Sequence, residues 1–128
     1  MSNTDYMPVY NDQSFPMTAS ATITAGQLVK VSGVKTVAPT AANTDRAIGV
    51  AGNAAANGQQ VTVWPLPGVM HESTNSNAGT ITAGNPITAG ATGGVDTGTL
   101  ATVAAAGTLI GVAVTTAATA AIVRWIGV

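Results

Sequence analysis

The chain has no cysteine, so neither disulfide bonds nor thiolate metal sites are open to it. Charge is scarce as well. Only 7% of its 128 residues are Asp, Glu, Lys or Arg, against roughly 25% in an ordinary soluble domain, and the net charge is −1. The basic residues Lys30, Lys35, Arg46 and Arg124 are scattered. Phosphate binding needs clustered cations, so nucleic acid is not an expected partner. His71 and Glu72 are the sole histidine and glutamate, and the position that would complete a metalloprotease helix is Asn75. No Gly-x-Ser-x-Gly elbow occurs, and no second histidine is present to act as a base. The acids Asp5, Asp12, Asp45, Glu72 and Asp96 stand at no spacing that suggests a carboxylate pair. These gaps argue against an enzyme; no catalytic residue, cofactor or metal is expected. Three polar features take bland readings: His71-Glu72 as a solvated pair on a loop rim, Asp45-Arg46 as a turn with a local ion pair, and GATGGVDTG at 90–98 as a hairpin turn, since it lacks the Lys and Ser/Thr of a phosphate loop.

What fills the chain is Ala, Thr, Val and Gly, with 46% apolar residues but only 4% aromatics. The length fits one domain with a modest core. So few charges leave little electrostatic means of staying dispersed, which points to a surface covered by partners in an assembly. The uncharged stretch 97–123 is long enough to cross a bilayer, but it is built mainly of Ala, Gly and Thr with few large aliphatics, where a membrane helix would be richer in Leu, Ile and Phe. No membrane association is expected. The first fifteen residues have neither a basic start nor an apolar run, so they do not read as a signal peptide; synthesis and folding in a host cytoplasm are expected.

Residues 1–20 differ from the rest. They carry Tyr6, Tyr10, Phe15, Pro8 and Pro16, and read as an extended arm, with Tyr6, Met7, Pro8, Val9, Tyr10 and Phe15 as its contact residues. From residue 21 onward, short β-branched runs (LVKVS, RAIGVA, VTVW, TLIGVAV, AAIVRWIGV) alternate with Gly, Asn, Pro and Ala clusters, and no helical stripe is evident. The expected fold is all-β, a small sandwich or barrel occupying 21–128.

The chain also repeats itself. TITAG occurs at 22–26 and 80–84, an offset of 58; IGVA occurs at 48–51 and 110–113, an offset of 62; Trp64 and Trp125 are 61 apart. Three matches in one order mark a duplicated structural unit, about 22–69 and 80–128, with the tryptophans expected in matching places. TITAG reads as strand then turn, its glycine supplying a positive φ, and Gly49 and Gly111 leave room for close packing or a bulge. Arg124 and the two tryptophans, Trp64 and Trp125, are candidate subunit-interface residues.

The segments TITAGQLVKVSG, DRAIGVAGNAAANGQQVTVWPLPGV and TLIGVAVTTAATAAIVRWIGV resemble the head decoration, or capsid cement, proteins of tailed bacteriophages, including lambda-type trimeric decoration folds. The resemblance covers about 20–128. It implies a structural virion protein on the capsid exterior that binds the major capsid protein of a finished shell, forms a homotrimer and has no catalytic residues. Many members of the family it resembles carry an acidic residue in the turn where this chain has Gln59-Gln60. The same composition also suits a β-rich adhesive or glycan-binding module of a phage fibre or surface layer, for which Trp64 and Trp125 are the tryptophans available.

Overall fold

The computed structural model describes residues 14–128. Its elements in chain order are β1 (Phe15–Ala19), β2 (Leu28–Gly33), β3 (Thr36–Pro39), β4 (Ala47–Ala51), β5 (Gln60–Pro65), β6 (Met70–Thr74), β7 (Pro86–Ala89), β8 (Val95–Asp96), α1 (Leu100–Ala106), β9 (Gly111–Ala113) and β10 (Ile122–Gly127). With 45% strand and 9% helix the protein is all-β, as its β-branched runs require.

The first five strands close into a barrel in the order β1-β3-β2-β4-β5, β1 sealing it by pairing parallel to β3 and antiparallel to β5. The remaining five form a sheet in the order β6-β10-β9-β7-β8. This is the same circuit. Each strand of the second set takes the place of one in the first, and a parallel bridge from Asn75 to Val95 brings the two ends of the sheet together where Ala19 meets Val37 in the barrel. Each half is thus one module of a duplicated chain.

The interiors match position for position. Ala19, Ile23, Val29, Val37, Ala51, Ala55, Val61 and Val63 fill the first module; Asn75, Ile81, Ile87, Val95, Ala113, Ala117, Val123 and Trp125 hold the corresponding places in the second. Turn bonds are copied as well. Gly26 N–H donates to Ala51 O and Gly84 N–H to Ala113 O, each at 2.8 Å, with φ of +90° and +92° at the two glycines. A positive φ at the third turn position is what glycine permits, so the Ala-Gly of TITAG serves as the sequence implies. The letters before it are not strands: Ile23 and Ile81 each make a single antiparallel bridge, to Ala55 and Ala117. Gly49 and Gly111 sit where a Cβ would strike Val63 and Trp125 respectively, which explains the glycine in both IGVA strands.

Helix is as sparse as expected, and two other expectations need correction. The short α-helix, α1, falls in the longer of two equivalent connections, 98–108 against 40–46, and that difference moves the repeat offset from 58 to 62. Its seven residues bury only Val103, so no amphipathic stripe had room to develop. Next, the segment read as arm reaches into the fold, because Phe15–Ala19 is β1, and Phe15 and Met17 pack half-buried on the first core. Last, the tryptophans do not match. Val63 pairs with Ala51 and Trp125 with Ala113, so Trp125 corresponds to Val63 and points inward, while Trp64 corresponds to Ile126 and points out. An offset of 61 in place of 62 puts them on opposite faces of their strands.

Candidate functional site

Among the described residues, ionisable groups do not converge. Asp45 receives the backbone N–H groups of Ala41 and Ala42 and pairs with Lys30 at 3.0 Å. These backbone bonds first, and then the lysine, hold its carboxyl below the usual range. Arg46 is not its partner, so the local ion pair expected for Asp45-Arg46 is replaced by one across strands. His71 is not on a solvated rim either. It is a buried β6 residue whose ring lies 4.8 Å from that of Trp125, with Nε2 at 3.0 Å from Pro65 O; a carbonyl only accepts, so Nε2 carries the hydrogen. Burial pushes its pKa down. Glu72, its neighbour, is exposed and pairs with Arg124 at 3.3 Å. The 90–98 stretch forms the β7–β8 hairpin, as read. Among the described residues, no group of three His, Cys, Asp or Glu could hold a metal ion, and no helix is long and apolar enough to cross a membrane.

The chemistry on the outside is apolar. In the second module Pro86, Val112, Ile126 and Met70 line up across β7, β9, β10 and β6 as directly paired neighbours on the outer face. Met70 and Ile126 are exposed, and Pro86 and Val112 half-exposed. The Glu72–Arg124 pair forms the next row, with Val114 beside it, followed by Ile122 against Thr74. In the first module the same row is Leu28, Val50 and Trp64 across β2, β4 and β5. Leu28 and Val50 are buried against the second module, joining Ala47 and Leu66 in its core cluster. Trp64 lies at the edge, 44% exposed, over Gly52, where a Cβ would press on the indole.

Of the residues singled out in the sequence, Tyr6, Met7, Pro8, Val9 and Tyr10 lie outside the described residues, and Phe15 belongs to β1. Trp64 and Arg124 are exposed on outer faces of different modules. Trp125 is no surface residue: it is fully buried, its Nε1 donating to Ser73 Oγ at 3.0 Å, which removes it from any subunit contact. The row through Met70, Val112 and Ile126 went unread. Its signal is in IVRWIGV, where apolar residues occupy both alternating sets of a strand, the pattern of a strand covered on both faces.

An exposed apolar row of this kind, carried on paired strands, is the type of surface found at sites of association. The family model described as "Phage cement protein" matches residues 9–126. No curated protein matches the chain. Among solved structures, the base of the head fibre protein gp8.5 of bacteriophage phi29 superposes with a TM-score of 0.66 at 22% identity, covering 90% of this chain and 92% of that one, so the two share a fold. With nearly its whole length matched, the chain belongs to the phage cement protein family.

Proposed function

We propose that the protein binds the exterior of a phage capsid shell as a homotrimer, contacting the major capsid protein and stabilising the lattice by linking neighbouring subunits. The family match over 9–126 carries this reading. Two features support it. The apolar row through Met70, Ile126, Val112 and Pro86 is the kind of surface that association covers, and the adjoining Arg124–Glu72 pair supplies a polar edge. The segment 1–13 leads straight into β1, so any grip that Tyr6, Met7, Pro8, Val9 and Tyr10 make on a neighbour is anchored in the barrel's closing strand. An extended segment can add as a strand to an exposed sheet edge, and aromatics give it contact area at little rotamer cost. Several such grips per assembly multiply weak contacts into a durable one.

The direct test mixes purified protein with empty expanded heads and follows co-sedimentation and the temperature at which the shell opens. Binding with a raised opening temperature is the expected result. Heads that neither bind the protein nor gain stability would refute the reading, and retention on glycan-bearing cell surface would favour the fibre-module alternative.

A further inference from the structure

The contact between the two modules is head to tail, and each half of it occurs a second time without a partner among the described residues. On the giving side, the first module presents the outer face of β2–β4, with Leu28 0% and Val50 6% exposed, together with Leu66, just past β5, at 8%. Beside that face, the turn at 24–27 extends Gln27, whose Nε2 donates to Thr92 O at 3.0 Å. On the receiving side, the second module presents the β7–β8 hairpin. Ala89 is buried at the joint, and Gly93 takes the Gln27 side chain where a Cβ would collide with it. Thr40 completes the joint, its carbonyl accepting from Gly93 N–H at 2.8 Å and its hydroxyl donating to Gly90 O at 3.0 Å.

Now consider the counterparts. The second module's giving face is Pro86, Val112 and Val128, with the turn at 82–85. Val128 stands where Leu66 is buried, yet is 60% exposed. Asn85 copies Gln27: its Oδ1 accepts from Thr82 N–H as Gln27 Oε1 accepts from Thr24 N–H, both at 2.8 Å. Its Nδ2 has no partner among the described residues. The first module's receiving hairpin is β2–β3. Val31, in the place of Ala89, is 55% exposed, and Val34, in the place of Thr92, is 91% exposed. Lys35 holds a φ of +57° where Gly93 has +70°. Each half exposes valines, Val31 and Val34 on one and Val128 on the other, and each corresponds in position to a surface that this chain already binds; Lys35 stands where Gly93 leaves room for Gln27, opposite Asn85, which is one carbon shorter.

We propose that a second copy of the chain occupies them: the β7–β9 face and 82–85 turn of one copy seat on the β2–β3 hairpin of the next, repeating the internal joint between chains. The inference rests on the self-association proposed above and names the surfaces that make it. Such a joint is heterologous, so it propagates until the rotation closes. With the trimer proposed above, three chains form a ring of six modules held by six joints, three within chains and three between them, the latter without the Thr40 hydroxyl bond because Gly98 holds that position.

The absence of cysteine from the chain makes a clean test possible. A V34C/N85C double variant, oxidised in solution and on heads, should give a ladder on a denaturing gel that ends at a covalent trimer and collapses on reduction. A mixture of the single variants should stop at dimers. Q27C/T92C, bridging the internal joint, serves as the positive control. No interchain bond when that control closes would overturn the proposal, as would dimers from V34C or N85C alone, which would mean like faces meet. V34D, at a site with no packing to lose within the chain, should sediment as a monomer with an unchanged far-UV circular dichroism spectrum and an unfolding midpoint that no longer depends on protein concentration; a persisting trimer would refute the joint. Head binding is scored separately. Decorated heads without the cross-link would sink the joint alone, whereas cross-linked trimers that ignore heads would sink the capsid reading alone.

Discussion

Replacing each tryptophan by alanine in turn separates two residues that look alike in the sequence. Trp125 is fully enclosed by the second module, against His71, with its only polar atom satisfied by Ser73. Truncation there leaves a cavity that the surrounding strands cannot collapse, and strips Ser73 Oγ of its donor. Such buried aromatic deletions cost about 3–5 kcal/mol, a large share of the roughly 5–15 kcal/mol that holds a domain together. For a chain of this length the melting temperature should fall by roughly 10–20 °C. Trp64 is 44% exposed with its indole lying against Gly52, so solvent fills the space it vacates. Only the transfer of its covered half is lost, at most about 2 kcal/mol once the compactness of unfolded chains is allowed for. Urea unfolding of both variants, followed by far-UV circular dichroism, measures the difference. Equal losses, or a greater one for Trp64→Ala, would refute the assignment of Trp125 to the interior and with it the register of β10.

Ala120 adopts a φ of +69° where the first module has Gly58 at +89°, so Ala120→Gly should stabilise the protein by about 1 kcal/mol by relieving left-handed strain; an unchanged or lower midpoint in urea would count against it. The depressed pKa of His71 fixes a sign for pH dependence: the unfolded state takes up its proton first, so stability is full above about pH 6.5 and falls as pH drops through the folded-state value, by no more than about 1.4 kcal/mol per unit. His71→Phe, which installs the residue type of the equivalent Phe15, should flatten that slope in denaturation series between pH 5 and 7. Deleting residues 1–13 spares β1 and should leave the circular dichroism spectrum intact while weakening head binding at least tenfold, about 1.4 kcal/mol; undiminished binding would place the grip in the barrels.

Much of the fold was legible because duplication leaves its mark in letters that the backbone needs. Gly26 and Gly84 hold a positive φ, and Gly49 and Gly111 make room for a neighbouring strand, so both pairs persisted as readable words. The tryptophans misled for a physical reason. Side-chain direction in a strand has period two, and a shift of one residue, trivial to the eye, exchanges inside for outside. Helix α1 was missed because it is short and buries a single valine. The apolar outer row was hidden for a different reason: its members lie on β6, β7, β9 and β10 and become neighbours only when the sheet forms. Strand β1 looked like arm because two prolines flank or punctuate it; Pro16 is accommodated at a position facing Thr62 on the closing strand.

Copying a barrel twice within one chain creates a sorting problem during folding. Strands β1 and β6 close equivalent seams, and each must find a partner far along the chain, β1 on β5 and β6 on β10. Either could compete for the other's place, and long-range pairing of this kind is slow enough for errors to compete. The seams carry different labels. The first offers Phe15 and Met17 to Val63 and Val61; the second offers His71 and Ser73 to Trp125 and Val123. Were β1 to seat against β10, the indole Nε1 would be left without its hydroxyl acceptor and a second aromatic would crowd Trp125. Were β6 to seat against β5, His71 would be carried among valines. Divergence between the two copies, greatest where the closing strands meet, therefore acts as an address that sends each strand to its own barrel.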